Sequence, residues 1–470
     1  MELKRPTPTE LDQMSHAEKD ALILKLFDLL ETFERRLKEL EEKVEKNSRN
    51  SSKPPSSDGL KKGAAEPRKR GEKPTGGQPG HKGITRPMAE NPDEIREIRP
   101  TGHCACGASL DDQAARLGER RQQFEIPEPK YVVTEYRQMR VFCPCGLEHR
   151  GEFPAGITPH VSFGPRLKAY AVGLVQGHFV ALERASAIIG DQYGIQPSGG
   201  TVQKWVIQGA NRLAPAHEAN RQTILDSTVV HFDESGMRVN GQLNWLHVAA
   251  TEATVYYSVH EKRGRDAMEA AGILPHFKGH AVHDHWKPYR SYLDCTHGLC
   301  NAHHLRELRY CEELTGHFWP IELRRILVEG KKAVDSARAE GKTALEPAQV
   351  DDLLTRYDEQ VANGLAAWPV RPPALGRKGR PKQHDATNLL IRLRDFKTQI
   401  WGFLGDWRIP FDNNLAERMV RPVKVKLKVT GGFRAMGGSE AFCILRSIWE
   451  TDKLNGSNPF NTLRLAFEGE

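Results

Sequence analysis

Two strand-type runs meet at Asn240-Gly241, and together with the segments just beyond them they confine the middle of the chain to a mixed α/β sheet. VVHFDESGMRV precedes the dipeptide and WLHVAAT comes closely after it. Asn-Gly is a strong hairpin signal, because the two-residue turn that suits twisted strands needs positive φ at both positions. VYYSVH supplies a third run, a polar helical segment opens at Arg265, and GHAVHD adds a fourth short apolar run. The order predicts a three-strand meander, a helix, and a further strand lying beside the first.

Three carboxylates occupy telling places in and beyond that region. Asp233 and Asp284 close the apolar runs Val229 to Phe232 and His280 to Val282, which read as buried strands delivering an acid at their C-terminal edge. Glu417 follows an Asp-Asn-Asn start signal and opens a basic, helix-compatible segment. Mg²⁺ favours a few carboxylate oxygens with water and substrate phosphate, so three acids meeting from separate elements suit a one- or two-metal site. Two ions about 3.5–4 Å apart activate the attacking oxygen and stabilise the leaving one in displacement at phosphorus. With 61 acidic residues in the chain, spacing alone does not single these out.

Their sequence neighbourhoods do. NSSKPPSSD and GGQPGHKG near the N-terminus, DESGMRVNGQLNWLHVAAT around Asp233, VHDHWKPY around Asp284, CNAHHLREL after it, and DNNLAERMVRPVKVKLKVTGGFRAMGGSEAF around Glu417 occur in that order. Over nearly the whole chain this resembles the insertion-sequence-66 family of bacterial transposases. The resemblance implies DDE chemistry on an RNase H-like core, with Asp233, Asp284 and Glu417 as the triad that holds Mg²⁺ or Mn²⁺. The expected fold class is therefore α/β, with an RNase H-like catalytic domain over 223–470 carrying a helical insertion at about 312–405.

The formal charge of +7 is concentrated in one place. From Arg49 to Arg86 there are ten Lys or Arg against three Asp or Glu, and the remainder is close to neutral. That stretch, NSRNSSKPPSSDGLKKGAAEPRKRGEKPTGGQPGHKG, has few apolar residues with which to offset the entropy of ordering. Residues 47–100 are expected to be a flexible basic linker, with Arg68, Lys69 and Arg70 following the DNA backbone and releasing counterions; a merely solubilising linker is the alternative. Before it, Ile23, Leu26, Leu30, Phe33, Leu37, Leu40 and Val44 alternate in steps of three and four, the narrow seam of a coiled coil. Residues 1–46 are thus expected to be a coiled-coil helix through which the protein self-associates.

Eight cysteines in a cytosolic chain argue against a disulfide framework. Four lie in two similar knuckles, His103-Cys104-Ala105-Cys106-Gly107 and Cys143-Pro144-Cys145-Gly146, joined by the strand-like QQFEIPEPKYVVTEYRQMRVF. A tetrahedral Zn²⁺ needs turns that aim two thiolates at one ion. The resemblance implies a zinc-ribbon-like domain over 101–155, and the ligands expected are Cys104, Cys106, Cys143 and Cys145, with His103 or His149 as substitutes. The family pattern is Cys-x-x-Cys-Gly, from which this Cys-x-Cys spacing departs.

Residues 160–222 read as a helical domain. Within it LERASAIIGDQYGIQPSGGTVQKWVIQGA has the outline of a helix-turn-helix opening its second helix after Ser198, or of a plain helical hairpin packed under the core. After Asp284, Cys300-x-x-His303 has metal-ligand spacing with no partner pair nearby in sequence, which favours a structural or phosphate-positioning role; Arg306 in the following helix is placed to face DNA. Arg377 to Lys382 resembles an AT-hook. Beyond Glu417, Arg418, Arg421, Lys424, Lys426, Lys428 and Arg434 follow with no acid among them. On one helix Glu417, Arg421, Lys424 and Lys428 share a face for the scissile strand's phosphates, although Pro422 makes that face secure only as far as Arg421. Val420, Val423, Val425, Leu427 and Val429 are expected to be buried.

These readings converge on metal-dependent cleavage at transposon ends and strand transfer into target DNA. Double-stranded DNA, a second copy of the chain and accessory proteins of the same element are the expected partners. The N-terminus is polar and no run approaches a membrane span, so the expected location is the cytoplasm, at the nucleoid. A zinc-containing dimeric DNA-binding regulator explains the first 150 residues but not the acids; an RNase H-like nuclease without strand transfer differs only in a joining assay.

Overall fold

A computed structural model of the protein describes residues 13–44, 86–111, 113–154, 156–157, 159–372 and 381–468. Arg68, Lys69, Arg70 and most of the AT-hook-like stretch lie outside the described residues. The chain divides into two compact units, one of Met1–Glu66 with Gln138–Glu470 and one of Pro67–Arg137. The division falls inside the 101–155 stretch.

Helix α1 spans His16–Val44. It opens with a capping box: the Glu18 N–H donates to Ser15 Oγ at 3.3 Å while the Ser15 N–H donates to Glu18 Oε2 at 2.8 Å. Along the expected seam Ile23 is 49% exposed and Phe33 67% exposed, and Leu26 and Leu30 are also exposed.

In the unit of Pro67–Arg137, Gln122 ties the chain to Ala89 by a reciprocal pair of hydrogen bonds, 2.7 and 2.9 Å. Arg86 lies over the Phe124 ring at 4.4 Å. The strand expected from Gln122 onward forms only at its far end, as β1 (Arg140–Phe142), which pairs antiparallel with β2 (Glu148–Arg150) in the other unit. Ile126, Val132 and Val133 are exposed there, and among the described residues no strand pairs with that stretch.

The remaining helices up to the sheet are α2 (Pro165–Val172), α3 (Leu182–Tyr193) and α4 (Gly199–Leu225). Gly194, in the left-handed region at φ 71°, ends α3, and Ser198 Oγ caps α4 by accepting from Thr201 N–H at 3.1 Å. The helix-turn-helix outline is thus present as a helical hairpin. Its core residues Ile189, Val202, Trp205 and Val206 pack with Leu445, Trp449, Leu463 and Phe467 from the C-terminal helices. The hairpin therefore shares a core with the end of the chain.

The sheet has five strands in the order β5-β4-β3-β6-β7. Strands β3 (Val229–Val239), β4 (Gln242–Ala250) and β5 (Val255–His260) form the antiparallel meander. Asn240 and Gly241 sit at φ 48° and 72°, the twofold positive-φ turn expected of that dipeptide. Helix α5 (Arg265–Ala271) then crosses to β6 (His280–His283), which is parallel to β3, and β7 (Thr296–Leu299) adds a further parallel strand.

Helices α6 (Asn301–Thr315), α7 (Trp319–Ala339), α8 (Pro347–Ala367) and α9 (Asp385–Asp395) follow, the first of them opening ahead of residue 312. They close over their own core of Leu308, Trp319, Leu323, Tyr357, Leu390 and Trp401. The chain returns through α10 (Asn414–Thr430), α11 (Met436–Leu454) and α12 (Pro459–Glu468). Leu415, Ala416, Val420, Val423 and Phe442 cover the sheet face formed by Met237, Val239, Leu246, Val248 and Tyr257. The opposite face packs Val230 and Phe232 against Met268, Phe277 and Tyr289.

Candidate catalytic site

Asp233 lies in the middle of β3 rather than at its end, because pairing with β4 carries the strand on to Val239. The parallel pairing of β3 with β6, however, stops at His231–Val282. Two residues further in that register, Asp233 comes opposite Asp284, which directly follows β6. β7 pairs His283 with Leu299, so Cys300 comes opposite Asp284 in turn. The carboxyl ends of the parallel strands thus bring Asp233, Asp284 and Cys300 into one row.

Glu417 enters this row from the first turn of α10, and Asn413 fixes the approach. The Asn413 side-chain amide donates to the Phe232 carbonyl at 2.8 Å, its Oδ1 meets His231 Nδ1 at 2.9 Å, and its backbone N–H donates to Cys300 Sγ at 3.1 Å. Glu417 Oε1 is 3.9 Å from Cys300 Sγ and 3.7 Å from His303 Nε2.

The electrostatics record the convergence. The Asp233 carboxyl is pushed up to about 8, first by burial and then by the charges of Glu234, Asp284 and Glu417, with the Glu234 N–H to Asp233 Oδ1 bond of 2.9 Å acting against them. Asp284 Oδ1 accepts from the Trp286 N–H at 2.8 Å, which orients the carboxylate at the strand end.

A fourth acid escaped sequence reading. Glu234 points to the opposite face from Asp233, with its side chain 2% exposed. Burial, and then the charge of Asp284, raise its carboxyl, and the bonds from Tyr289 and Arg263, 2.5 and 2.6 Å, act against that rise. Arg263 in turn lies between Trp286 and Trp245, at 4.1 and 4.8 Å from their ring centroids. An acid beside an acid looks like ordinary surface charge in a sequence, and Arg263 is too distant along the chain to advertise the pairing.

The Cys300-Asn301-Ala302-His303-His304 turn has divided duties. Asn301 is fully buried and donates to the Ile400 carbonyl at 2.9 Å, so its Oδ1 takes the Nδ1–H of His304 at 2.8 Å. The His304 Nε2 is then an acceptor, filled by the His285 Nε2–H at 2.8 Å. Burial lowers His304 to about 3, in keeping with these neutral rings. Asn301 and His304 thereby lock the chain just past Asp284, while Cys300 and His303 face Glu417.

Helix α10 runs unbroken through Pro422, so the cationic face extends beyond the expected limit at Arg421 to Lys428. Arg418, Arg421, Lys424 and Lys428 are exposed along it, as is Arg306 on α6. The Met419 carbonyl near the proline accepts the Tyr257 hydroxyl at 2.7 Å, pinning the helix to β5 there. Two expectations for this helix fail. Val425 and Val429 are about half exposed, and Lys426 is buried, with burial lowering its ammonium. A period-two apolar pattern wound at 3.6 residues per turn cannot hide every valine.

The two cysteine knuckles adopt the same turn, each within its own unit. Cys104 N–H donates to the Ala108 carbonyl at 2.9 Å and Gly107 N–H to the Cys104 carbonyl at 2.8 Å; Cys143 with Leu147 and Gly146 with Cys143 repeat this at 2.8 Å each. Gly107 and Gly146 take φ of 89° and 87°. The Cys106 thiol is lowered by the Ala108 backbone and then Cys104, and the Cys145 thiol by Cys143 and then the Leu147 backbone. Those are turns that favour thiolates.

With a mixed five-stranded sheet flanked by helices, and Asp284 directly after a parallel strand, the chain falls in the α/β class. The chain belongs to the transposase IS66 family, whose sequence pattern matches residues 160–441 and so includes Asp233, Asp284 and Glu417. It is by that membership a DNA-acting protein. Residues 4–87 match a family of unknown function (DUF6444). The chain is also 22% identical over 410 residues to uncharacterized protein y4hP of Sinorhizobium fredii, covering 78% of this chain and 71% of that protein. Among the described residues no helix is long and apolar enough to cross a membrane.

Proposed function

We propose that the protein is a DDE transposase on an RNase H-like core, which cleaves one DNA strand at each end of its element and joins the freed 3′-hydroxyl to target DNA. The observation that carries this reading is Asp233: a half-buried carboxyl, opposite Asp284 in the strand register, whose ionisation is opposed by both Asp284 and Glu417. Carboxylates gathered in this way call for a cation to balance them, and their hard oxygens fit Mg²⁺ or Mn²⁺. Asp233, Asp284 and Glu417 would hold the ions. A bound pair would supply activation of the attacking oxygen and stabilisation of the departing one.

The chain's own residues do the rest. Trp286 N–H and Asn413 set the orientations of Asp284 and of the α10 start. Arg418, Arg421, Lys424, Lys428 and Arg306 are proposed to grip backbone phosphates leading to the acids, and Arg68, Lys69 and Arg70 to add affinity that does not depend on sequence. The two thiol pairs, Cys104 with Cys106 and Cys143 with Cys145, are proposed as structural zinc ligands. The exposed seam of α1 supports self-association, since a row of large apolar side chains is stable in water only when another helix covers it. A protein that works on chromosomal DNA would act at the nucleoid.

Asp233→Ala, Asp284→Ala and Glu417→Ala proteins, incubated with DNA carrying the element's ends, should each still retard it in a gel but lose strand cleavage in Mg²⁺ or Mn²⁺. Cleavage at the wild-type rate by any of the three would overturn the assignment.

A further inference from the structure

We propose that Cys300, His303 and Glu417 form a second metal site, selective for a borderline ion such as Zn²⁺, that competes with the catalytic set for Glu417. One ligand atom from each lies within 4.8 Å of the others. The donors are one sulfur, one imidazole nitrogen and one carboxylate oxygen, a set that suits Zn²⁺ far better than Mg²⁺.

The geometry is close to what such an ion requires. Tetrahedral Zn²⁺ with ordinary bond lengths separates neighbouring sulfur, nitrogen and oxygen ligands by about 3.3–3.5 Å. Glu417 Oε1 is already 3.7 Å from His303 Nε2 and 3.9 Å from Cys300 Sγ. Those two separations need close by only a few tenths of an ångström, and the third pair, Cys300 with His303, lies within 4.8 Å. Cys300 precedes α6 and His303 lies in its first turn, so the helix itself aims both side chains the same way. The Asn413 N–H donated to Cys300 Sγ at 3.1 Å is the outer support a bound thiolate uses. His303 and Glu417 retain 33% and 28% side-chain exposure, which leaves an entry path and a fourth, open position.

On binding, the Cys300 S–H proton passes to solvent as sulfur takes the metal. Glu417, committed to that ion, is then withdrawn from Asp233 and Asp284. Binding stands independently of the catalytic role of Glu417; the inhibition it causes rests on that role.

The test uses the full-length chain and two variants, Cys300→Ser and His303→Gln, the second at a partly exposed position that does not threaten folding. Each is titrated with Co²⁺ as a probe of thiolate ligation, and zinc per chain is counted by mass spectrometry after equilibration with Zn²⁺. The expected result is a thiolate-to-Co²⁺ absorption in the wild type in excess of that in Cys300→Ser, and about one zinc fewer in Cys300→Ser. His303→Gln should weaken Zn²⁺ binding at least tenfold. In cleavage assays, Zn²⁺ should inhibit the wild type at concentrations at least tenfold lower than either variant, each measured against its own Mg²⁺ activity. Equal zinc content and equal Co²⁺ spectra in all three proteins would overturn the site. A Cys300-dependent spectrum in a protein with no cleavage activity would uphold the site and sink the transposase chemistry instead.

Discussion

Asn413 donates its side-chain amide to the carbonyl of Phe232 at 2.8 Å, and so joins the strand carrying Asp233 to the helix carrying Glu417. The two residues are 181 positions apart, and the same Asn413 also meets His231 and Cys300. Asn413→Ala would strand the buried Phe232 carbonyl and the His231 ring without partners. The expected cost is about 1–3 kcal/mol of stability, read from denaturant unfolding. Loss of alignment should lower cleavage by roughly 10²-fold with little change in DNA binding. Unchanged cleavage in Asn413→Ala would show that Glu417 is positioned by other means.

Asp233 makes stability depend on pH in a direction opposite to an ion-paired acid. Its carboxyl is raised from 3.8 to about 8 in the folded protein, so the unfolded chain ionises first. In metal-free protein the stability present below the unfolded value is therefore lost progressively as pH rises through about 8. Asp233→Asn removes that loss. In chelator at pH above 8 its Tm should exceed the wild type by roughly 2 °C for each kcal/mol recovered, while near pH 4 the two should converge. Equal Tm values at the higher pH would mean that the carboxylate is not strained by its neighbours.

The hairpin at Asn240-Gly241, the meander, the crossover to β6 and the pairing of Asp233 with Asp284 were legible because turn chemistry and short apolar runs are local signals. The start of α10 just ahead of Glu417 was legible from the Asp-Asn-Asn signal before it. Asn413, Glu234 and Arg263 were not: their roles arise from contacts spanning tens to hundreds of residues, as in the Arg263–Glu234 pair and the Asn413–Phe232 bond. Pro422 misled in the other direction, since packing of Val420 and Val423 on the sheet and the Tyr257 contact to Met419 hold the helix through it. Gly432 acquires its reason only in three dimensions. At φ 147° it lets Phe433 exchange hydrogen bonds with the end of β3, and a Cβ there would sit 2.6 Å from the Arg238 carbonyl.

The exposed seam of α1 predicts a sharp response to charge. Self-association through α1, as proposed, predicts that Leu30→Asp combined with Phe33→Asp lowers the mass measured by light scattering, with the fold of the rest of the chain unchanged by circular dichroism. Retention of the wild-type mass would mean that α1 does not hold the copies together.

The cationic face of α10 should bind phosphate rather than read bases. Arg421→Ala and Lys428→Ala are each expected to weaken binding about equally across DNA sequences and to reduce the slope of log affinity against log salt by about 1. A loss confined to one DNA sequence would mean that this helix contacts base edges.

The central claim is that three remote carboxylates share one divalent-ion site. Titration of the wild type and of Asp233→Asn, Asp284→Asn and Glu417→Gln with Mn²⁺, following the free ion by electron paramagnetic resonance, tests it without any DNA. Each single substitution is predicted to weaken Mn²⁺ binding at least tenfold, and wild-type affinity in any one of them would contradict the shared site.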